Sequence, residues 1–247
     1  MARIGIIGSA GRMGQALAEA IALAGEDLAG GIDAPEKGGG DALALANASD
    51  VLVDFSSPHA LEANLDAAIA AGIPIVVGTT GLEERHHWLC DAAAQNIAVL
   101  QTGNTSLGVN MLVHLVREAA LRLDADWDIE IFEMHHRRKV DAPSGTALML
   151  GQAAAEAREV RLTEASERGR DGITGPRVRG AIGFASLRGG TVAGEHSVIF
   201  AGDDERITLS HSAENRMIFA KGAVRAAWWL IGEKPGRYTM AQVLGLA

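Results

Sequence analysis

The sequence predicts an α/β protein with a doubly wound parallel sheet and a second, smaller α+β domain. Up to Asn104, short apolar segments alternate with helical segments, which is typical of a parallel sheet covered by helices on both faces. A glycine-rich turn directly follows the first apolar segment. Beyond Asn104 the character changes, since a helix is followed by a segment, Asp128 to Met134, that alternates polar and apolar residues at the strand period, which indicates an α+β domain.

Composition limits the possible functions. The chain has 247 residues, of which 48% are hydrophobic, enough to bury the core of one large or two modest domains. Its net charge of -9 argues against a nucleic-acid-binding surface. No apolar run could span a bilayer, and Met1 leads almost directly into a strand without a signal peptide, so we expect a cytoplasmic protein. The single Cys90 excludes an internal disulfide, and no Cys/His spacing indicates a metal site.

The first predicted strand, Arg3 to Ile7, runs into the glycine-rich turn and then into a helix. Gly8 permits a tight turn, Gly11 lets a pyrophosphate approach the helix N-terminus, and Gly14 lets helix and strand pack closely. The spacing G-x-x-G-x-x-G departs from the usual G-x-G-x-x-G at Ala10. Strand, turn and helix together nevertheless predict a Rossmann-type dinucleotide-binding domain.

The second predicted strand, Leu28 to Ile32, ends at Asp33. At this position a carboxylate accepts hydrogen bonds from the ribose hydroxyls of NAD and repels the 2′-phosphate of NADP. Ala34 supplies no guanidinium to neutralise that phosphate. We therefore expect NADH to be preferred, while Arg12 and Lys37 leave use of NADPH possible.

Three further strands complete the predicted parallel sheet, at residues 51–55, 73–77 and 97–100, with a loop over residues 35–40 before them. Ligands of doubly wound sheets bind at the carboxyl ends of the strands. Polar and small residues at these ends therefore predict the nicotinamide half-site. They are Ser56, Ser57, Gly78, Thr79, Thr80, Thr102, Gly103 and Asn104.

The middle of the chain predicts the second domain. A helix over residues 107–123, a strand from Asp128 to Met134 and a helix ending near Glu159 precede a polar stretch. Three strands follow, at residues 182–187, 196–200 and 206–210, and are predicted to be neighbours in a meander. We assign residues 1–105 and 217–247 to a dinucleotide-binding domain, and residues 106–216 to a substrate-binding and oligomerisation domain.

Residues 135–147 form the most informative motif. Residues before the motif alternate at the strand period, so His135 and His136 lie at the end of a strand. Three cations follow at residues 137–139, although the chain as a whole is acidic. Past Pro143, Ser144 is a good N-cap, and the N–H groups of Gly145 and Thr146 are placed to hold a carboxylate. The segment therefore predicts a site for a small dianion, with a solvated basic face as the alternative.

The remaining histidines predict structural roles. His86 and His87 are expected on a solvated helix face, and His114 as a core histidine in an apolar helix. His196 is predicted in a strand, where a structural role is favoured over a catalytic one.

Six motifs, taken in order, resemble the 4-hydroxy-tetrahydrodipicolinate reductase family along nearly the whole chain. The segments are Gly8 to Gly14, Gly78 to Gly81, Asn104 to Asn110, Glu133 to Ala147, Gly194 to His196 and Arg216 to Gly222. The resemblance implies reduction of an unsaturated cyclic dicarboxylate by NAD(P)H in lysine and diaminopimelate biosynthesis, by a homotetramer. Two departures from the family are Ala34, where a basic residue often stands, and Thr105, where some members have an aromatic residue.

The resemblance also implies roles for individual residues. His135 becomes the acid/base residue, and Lys139 a second proton donor or a substrate cation. His136, Gly145 and Thr146 become substrate contacts. The implied cofactor contacts are Gly8, Ser9, Ala10, Gly11, Arg12, Met13, Asp33, Gly78, Thr79, Thr80, Thr102, Gly103, Asn104 and Thr105.

The residues agree with this chemistry. A dinucleotide-binding fold supplies a hydride through its cofactor, and a positioned histidine supplies a proton. Lys139, in the cationic loop of residues 137–139, binds a carboxylate. Asp141 is expected to orient Lys139 or the loop rather than to act as a base. Two alternatives remain: another nicotinamide enzyme of the same two-domain plan, such as an amino-acid or semialdehyde dehydrogenase, and a nucleotide-sensing module without turnover.

Overall fold

A computed structural model describes residues 1–246, which form two compact units. Met1–Leu107, together with the chain from Arg216 onward, form the first unit, and Gly108–Asn215 form the second. The second unit is therefore an insertion into the first. Within residues 1–246, no helix combines the length and the apolar character needed to cross a membrane.

The first unit is built on a six-stranded sheet with the strand order β11-β5-β4-β3-β1-β2. All of its strand pairs are parallel. The strands are β1 (Arg3–Ile7), β2 (Asp27–Ile32), β3 (Val51–Asp54), β4 (Ile75–Val77), β5 (Ala98–Gln101) and β11 (Gly236–Tyr238). The helices are α1 (Arg12–Leu23), α2 (Ala42–Ala48), α3 (Leu61–Ala71), α4 (Glu84–Ala93), α8 (Met217–Leu230) and α9 (Met240–Val243).

Apolar residues cover both faces of this sheet. On one face Ile4 packs in a buried cluster with Leu17 of α1 and Val224 of α8. On the other face Leu52 packs with Leu65 of α3. A sheet with helices on both faces is the predicted doubly wound, Rossmann-type arrangement, so this prediction is confirmed.

Helix α2 is an element that the sequence did not predict. It has only seven residues, too few for a helical period to be recognised. Its start is fixed by the side chain of Asp41, which accepts hydrogen bonds from the N–H groups of Leu43 and Ala44.

The second unit contains a five-stranded sheet with the order β10-β9-β6-β8-β7. Its strands are β6 (Asp128–His135), β7 (Ser166–Glu167), β8 (Ile182–Arg188), β9 (Gly194–Ala201) and β10 (Arg206–Ala213). Its helices are α5 (Leu107–Arg122), which begins at the boundary of the first unit, α6 (Gly145–Ala157) and α7 (Leu162–Ala165).

The predicted meander of three neighbouring strands is wrong. Strands β9 and β10 are antiparallel neighbours, but β6 lies between β8 and β9, parallel to β8 and antiparallel to β9. The link between β8 and β9 crosses the end of β6, where Gly189 N–H donates to His135 O and His136 N–H donates to Val192 O. The strand that separates β8 from β9 comes from far upstream in the sequence, where a local pattern cannot reveal it.

Strand β6 places Glu133 and His135 at the end of an apolar face. Ile129 and Ile131 point into the core, where they pack with residues of α5 and α6. Because side chains alternate along a strand, Glu133 and His135, two and four residues after Ile131, lie on the same buried face.

Candidate active site

His135 is tied to a buried carboxylate. Its Nδ1 atom lies 2.6 Å from Oε2 of Glu133, whose side chain is 1% exposed. Burial alone would raise the pKa of Glu133, but hydrogen bonds from Arg188 and His135 outweigh burial and lower the pKa to about 2. Glu133 is therefore ionised and can only accept, so Nδ1 of His135 carries a proton and Nε2 is the atom that exchanges one.

Burial lowers the pKa of His135, and the positive charges of Lys139 and Arg188 act in the same direction. The hydrogen bond to Glu133 and the charge of that carboxylate oppose this effect. The result is a histidine whose pKa lies below its usual value of 6.5. Protonation of His135 is therefore less favourable than that of a free histidine, and the Glu133 carboxylate is the group that supports it.

Arg188 forms a forked ion pair with the same carboxylate. Its Nη1 and Nη2 atoms lie 2.8 Å from Oε2 and Oε1 of Glu133, and Nη2 also donates to the carbonyl of Asp141 at 2.6 Å. The pairing of β6 with β8 places His135 directly beside Arg188. Only Arg offers a planar fork that fits both carboxylate oxygens.

His196 completes the buried side of the site. Its ring makes an edge-to-face contact with the ring of His135, with 5.1 Å between ring centroids. Its Nε2 lies 3.1 Å from Oγ of Ser144, and this same oxygen accepts from Ala147 N–H at the start of α6. Burial and the neighbouring His135 lower the pKa of His196 to about 4. His196 is thus neutral near pH 7 and supports the start of α6, as its predicted structural role implies.

Among the three cations of the cationic loop, Lys139 differs from Arg137 and Arg138 in its burial. Lys139 is partly buried and its Nζ lies 3.0 Å from Oδ2 of Asp141, while Arg137 and Arg138 are exposed. Hydrogen bonding from Lys139 lowers the pKa of Asp141 and keeps it ionised. The contact between Lys139 and Asp141 agrees with the predicted orienting role of the carboxylate.

The start of α6 is capped by Ser144, as the sequence predicts. Ser144 is the N-cap and accepts from Ala147 N–H, and beyond its chain neighbours and its own helix a Cβ atom on Gly145 would meet no heavy atom of residues 1–246 within 4 Å. Space is therefore open beside the first turn of the helix, where N–H groups and the helix dipole favour an anion. Thr146 follows in the same turn. His136 lies nearby in sequence with a buried Nδ1 that has no partner among residues 1–246.

In the first unit, the glycine-rich turn has the tight geometry that the sequence predicts. Gly8 has a φ of +88°, and its N–H donates to Ile32 O at 2.9 Å. A Cβ atom on Gly14 would lie 2.3 Å from Gly8 O, so a larger residue could not pack there. Gly11 is the N-cap of α1 and offers no side chain to cap the helix. The N–H groups of the first turn therefore lack a side-chain acceptor from the N-cap residue, as in helix starts that bind anions. Around this turn Ser9 and Met13 are half-buried, whereas Ala10 and Arg12 are exposed.

Asp33 is held against this turn. Its Oδ2 accepts from Ala10 N–H at 2.9 Å, and its Oδ1 accepts from Ala34 N–H at 2.8 Å. The negative charge thus has a fixed place beside the glycine-rich turn.

A buried carboxylate also organises the predicted nicotinamide half-site. Asp54 is fully buried, and its Oδ1 accepts from Ser56 N–H and from the Thr79 hydroxyl, while its Oδ2 accepts from Asn64. These bonds connect the carboxyl ends of β3 and β4. Gly78 is required here because a Cβ atom would lie 2.3 Å from the ring of Phe55. Thr80 follows and is exposed.

The segment after β5 is fixed by local hydrogen bonds. Thr102 Oγ1 donates to Asn104 O, and the exposed Gly103 lies between them. Thr105 is 2% exposed and its hydroxyl donates to Phe219 O at 2.7 Å. A Cβ atom on Gly222 would lie 1.8 Å from Thr105 O, so α8 approaches this segment closely.

One residue of this cluster was not singled out from the sequence. Arg188 lies at the end of β8, where nothing local distinguishes it from other surface arginines. The predicted exposure of His86 is wrong: it is 2% exposed and its Nδ1 accepts from Glu83 N–H in a capping box. His87 is exposed as expected, and His114 is half-buried.

These two sets of residues define a class of protein. A Rossmann-type sheet with a glycine-rich first turn, and a histidine–carboxylate pair beside a cationic loop, are typical of an oxidoreductase that uses a nicotinamide nucleotide. The chain belongs to the dihydrodipicolinate reductase family. The model of the family's N-terminal part matches residues 2–105, and that of its C-terminal part matches residues 108–244.

Relatives support this membership over the whole length. The chain is 54% identical to a 4-hydroxy-tetrahydrodipicolinate reductase of Zymomonas mobilis, over 99% of this chain and 97% of the relative. It is 50% identical to the enzyme of the same name from Bradyrhizobium diazoefficiens, over 99% and 98% of the two chains. A dipicolinate-bound dihydrodipicolinate reductase from Paenisporosarcina sp. TG-14 has the same fold, with a TM-score of 0.79, 22% identity and coverage of 98% of each chain.

Proposed function

We propose that this protein reduces 4-hydroxy-tetrahydrodipicolinate to tetrahydrodipicolinate with NAD(P)H, in lysine and diaminopimelate biosynthesis. The observation that carries the proposal is the pairing of His135 with the ionised Glu133 in a chain so similar to named reductases. The net reaction adds a hydride and a proton and releases water. The nicotinamide supplies the hydride, and the protein residues must bind the substrate and supply the proton.

We assign the proton to Nε2 of His135. Because Glu133 holds Nδ1, only Nε2 of the imidazolium is available to donate, and general acid catalysis of this type contributes ~10²–10⁴-fold. Lys139 stabilises negative charge on the substrate. The N–H groups of Gly145 and Thr146 hold one carboxylate at the start of α6, and His136 contacts the substrate beside them. The dipicolinate named in the Paenisporosarcina structure is a planar dicarboxylate, which supports a dicarboxylate ligand here.

Residues of the first unit fit a dinucleotide. A pyrophosphate requires a turn free of side chains at a helix start, and the space that a Cβ atom on Gly14 would need is already filled by backbone. We assign the phosphate contacts to Gly8 through Met13. The nicotinamide half-site is assigned to Gly78 through Thr80 and to Thr102 through Thr105.

We further propose that NADH is preferred over NADPH. Asp33 carries a fixed negative charge beside the glycine-rich turn, where the adenosine ribose of a dinucleotide would lie. Ribose hydroxyls can donate to this carboxylate, whereas a 2′-phosphate meets a like charge with Ala34 as the next residue. Arg12 is exposed on the same turn and remains the residue that could accommodate NADPH.

A coupled assay tests the function. Substrate is generated freshly by a dihydrodipicolinate synthase, and oxidation of NADH or NADPH is followed with the purified protein. We expect turnover with both nucleotides and a higher kcat/KM with NADH. Turnover of amino acids or semialdehydes instead would favour another nicotinamide enzyme of this plan, and nucleotide binding without any turnover would favour a sensing module.

We also propose that the protein is a homotetramer, the assembly that the family resemblance implies. Leu187 on β8 and Ile207 on β10 are exposed apolar residues of the second sheet, which an interface between copies would cover. Sedimentation velocity measures the assembly directly. A monomer at micromolar concentration would contradict this part of the proposal.

A further inference from the structure

We propose that Glu133 is a positioning residue that holds the proton donor His135 and the carboxylate-binding start of α6 in one fixed arrangement. This inference rests on the proposed function, because it concerns how the acid and the anion site are kept together. Glu133 itself is buried behind both and need not touch the substrate.

The contacts of one carboxylate carry the proposal. Oε2 accepts from Nδ1 of His135 at 2.6 Å, and Oε1 accepts from the backbone N–H of Ser144 at 3.2 Å. His135 is the proposed acid, and Ser144 is the N-cap of the helix whose first turn is proposed to bind a carboxylate. A shift of this side chain would therefore displace both parts of the site.

Arg188 extends the arrangement to the cationic loop. Its fork holds both oxygens of Glu133, and its Nη2 also donates to Asp141 O. Asp141 in turn contacts Lys139 through its side chain. A single buried ion pair thus connects the acid, the helix start and the loop that carries the substrate cation.

The chemistry of this position requires a carboxylate. Donors converge on it from His135, Arg188 and Ser144, and a carboxylate offers about four lone-pair directions while donating nothing. A glutamine would turn an NH₂ group towards at least one of these donors. The buried donor left unpaired would move away or lose its proton.

Other charged groups facing His135 act against Glu133. Lys139 from the loop and Arg188 from β8 both disfavour the imidazolium, and His196 from β9 presents a neutral ring. Glu133 on the same strand is the group that favours it. Loss of that negative charge must therefore lower the pKa of His135.

The variant Glu133→Gln tests the proposal, and Glu130→Gln is its matched control. Glu130 lies on the same strand and is ion-paired with Arg170 and Arg177, both at 2.9 Å, but on the opposite face. We measure kcat/KM from pH 5 to 9, the affinity for pyridine-2,6-dicarboxylate by calorimetry, and the titration of His135 by NMR with ¹⁵N-labelled histidine.

For Glu133→Gln we expect kcat to fall by ~10²–10⁴-fold, the loss typical of general acid catalysis. The His135 titration should move to lower pH and the Nδ1–H tautomer should lose its dominance. Affinity for the dicarboxylate should weaken as Ser144 loses its anchor. Glu130→Gln should leave all of these properties close to those of the unmodified protein.

A merely structural role would give a different pattern. If Glu133→Gln lowers the melting temperature but leaves the His135 titration, tautomer and inhibitor affinity unchanged, the proposal is overturned. If the unmodified protein lacks reductase activity, the proposed function fails, and the NMR titration and inhibitor affinity still decide the positioning role.

The conservative variant Glu133→Asp covers a failure of Glu133→Gln to fold. A shorter carboxylate keeps the negative charge but cannot reach both His135 and Ser144 in the same way. We expect the pH dependence of kcat/KM in Glu133→Asp to stay close to that of the unmodified protein, while the affinity for the dicarboxylate falls. Retention of full affinity would contradict the claim that one side chain positions both parts.

Discussion

Gly194 on β9 lies against Nε2 of His135, the nitrogen to which we assign proton donation: a Cβ atom at position 194 would be 3.1 Å from this atom. Glu133 holds the opposite nitrogen of the same ring. The imidazole is thus fixed on one side and kept free of side-chain bulk on the other. A glycine here also allows a φ of +157°, which other residues rarely adopt.

Gly194→Ala should lower kcat/KM strongly because the added methyl group crowds Nε2 of His135 and strains the backbone. Gly169→Ala is the matched control for strain alone, since Gly169 has a φ of +147° and nothing within 4 Å of its would-be Cβ atom. Steady-state kinetics and thermal melts of both variants separate the two effects. Equal activity losses in the two variants would rule out a specific effect on His135.

Lys139→Ala should reduce kcat/KM by about 10²–10³-fold, the range seen when one group that stabilises developing charge is removed. Arg138→Ala should have a small effect, because Arg138 is exposed on the same loop. Initial rates at matched ionic strength provide the comparison. Near-normal turnover in Lys139→Ala would remove this residue from the mechanism.

Thr146→Val keeps the shape of the side chain but deletes its hydroxyl at the proposed carboxylate site. Binding of pyridine-2,6-dicarboxylate should weaken by about 1.5–3 kcal/mol, the value of a hydrogen bond to a charged group. Calorimetry measures the change, with Thr163→Val on α7 as a control outside the site. Unchanged affinity in Thr146→Val would show that the hydroxyl does not contact the carboxylate and would leave only the N–H groups of Gly145 and Thr146 to hold it.

The double change Asp33→Ser with Ala34→Arg should shift the ratio of kcat/KM towards NADPH, mainly through KM. Asp33 also holds Ala10 N–H, so part of the effect could come from loosening the turn. The single change Ala34→Arg keeps that bond and adds only the positive charge. If the unmodified protein already uses NADPH as well as NADH, Asp33 does not repel the 2′-phosphate effectively, and Arg12→Ala becomes the variant to test.

Stability should fall in mild acid because of buried neutral histidines. The pKa of His196 is about 4 in the folded state against 6.5 in an unfolded chain, so the unfolded state binds more protons as the pH falls from 6.5 towards 4. The stabilisation is thus complete above pH 6.5 and lost through this window. Burial also lowers the pKa of His135 and His211, which contribute in the same direction.

His196→Gln should therefore flatten, but not abolish, the decline of melting temperature between pH 6.5 and pH 4. Its melting temperature at pH 7.5 should be lower than that of the unmodified protein, because the contacts of His196 with Ser144 are lost. Calorimetric scans across this range provide the measurement. Parallel curves for the two proteins would show that His196 does not cause the acid sensitivity.

Much of the first unit could be predicted because its determinants are local. The strand, the glycine-rich turn and the helix are consecutive, and the close approach of Gly14 to Gly8 follows from their spacing. Strand β6 was predicted for the same reason, since its alternation is visible within eight residues. Ser144 as an N-cap likewise needs only its immediate neighbours.

The rest depends on distant partners. Arg188 is recognisable as functional only once β8 lies beside β6, 55 residues from Glu133 in sequence. The placement of β6 between β8 and β9 also reverses the expectation that consecutive strands pair. His86 is a further example. Its polar neighbours on the helix suggest an exposed side chain, but its ring turns back and accepts a hydrogen bond from the N–H of Glu83.

The insertion of Gly108–Asn215 into the first unit has a consequence for synthesis. Helix α8, whose residues Ala223 and Val224 are buried against the parallel sheet, leaves the ribosome only after the whole second unit has been made. Until then α1 covers that face of the nascent sheet without α8, and β5 is an open edge that β11 pairs only later. The inserted unit therefore has the opportunity to fold before α8 and β11 complete the parallel sheet.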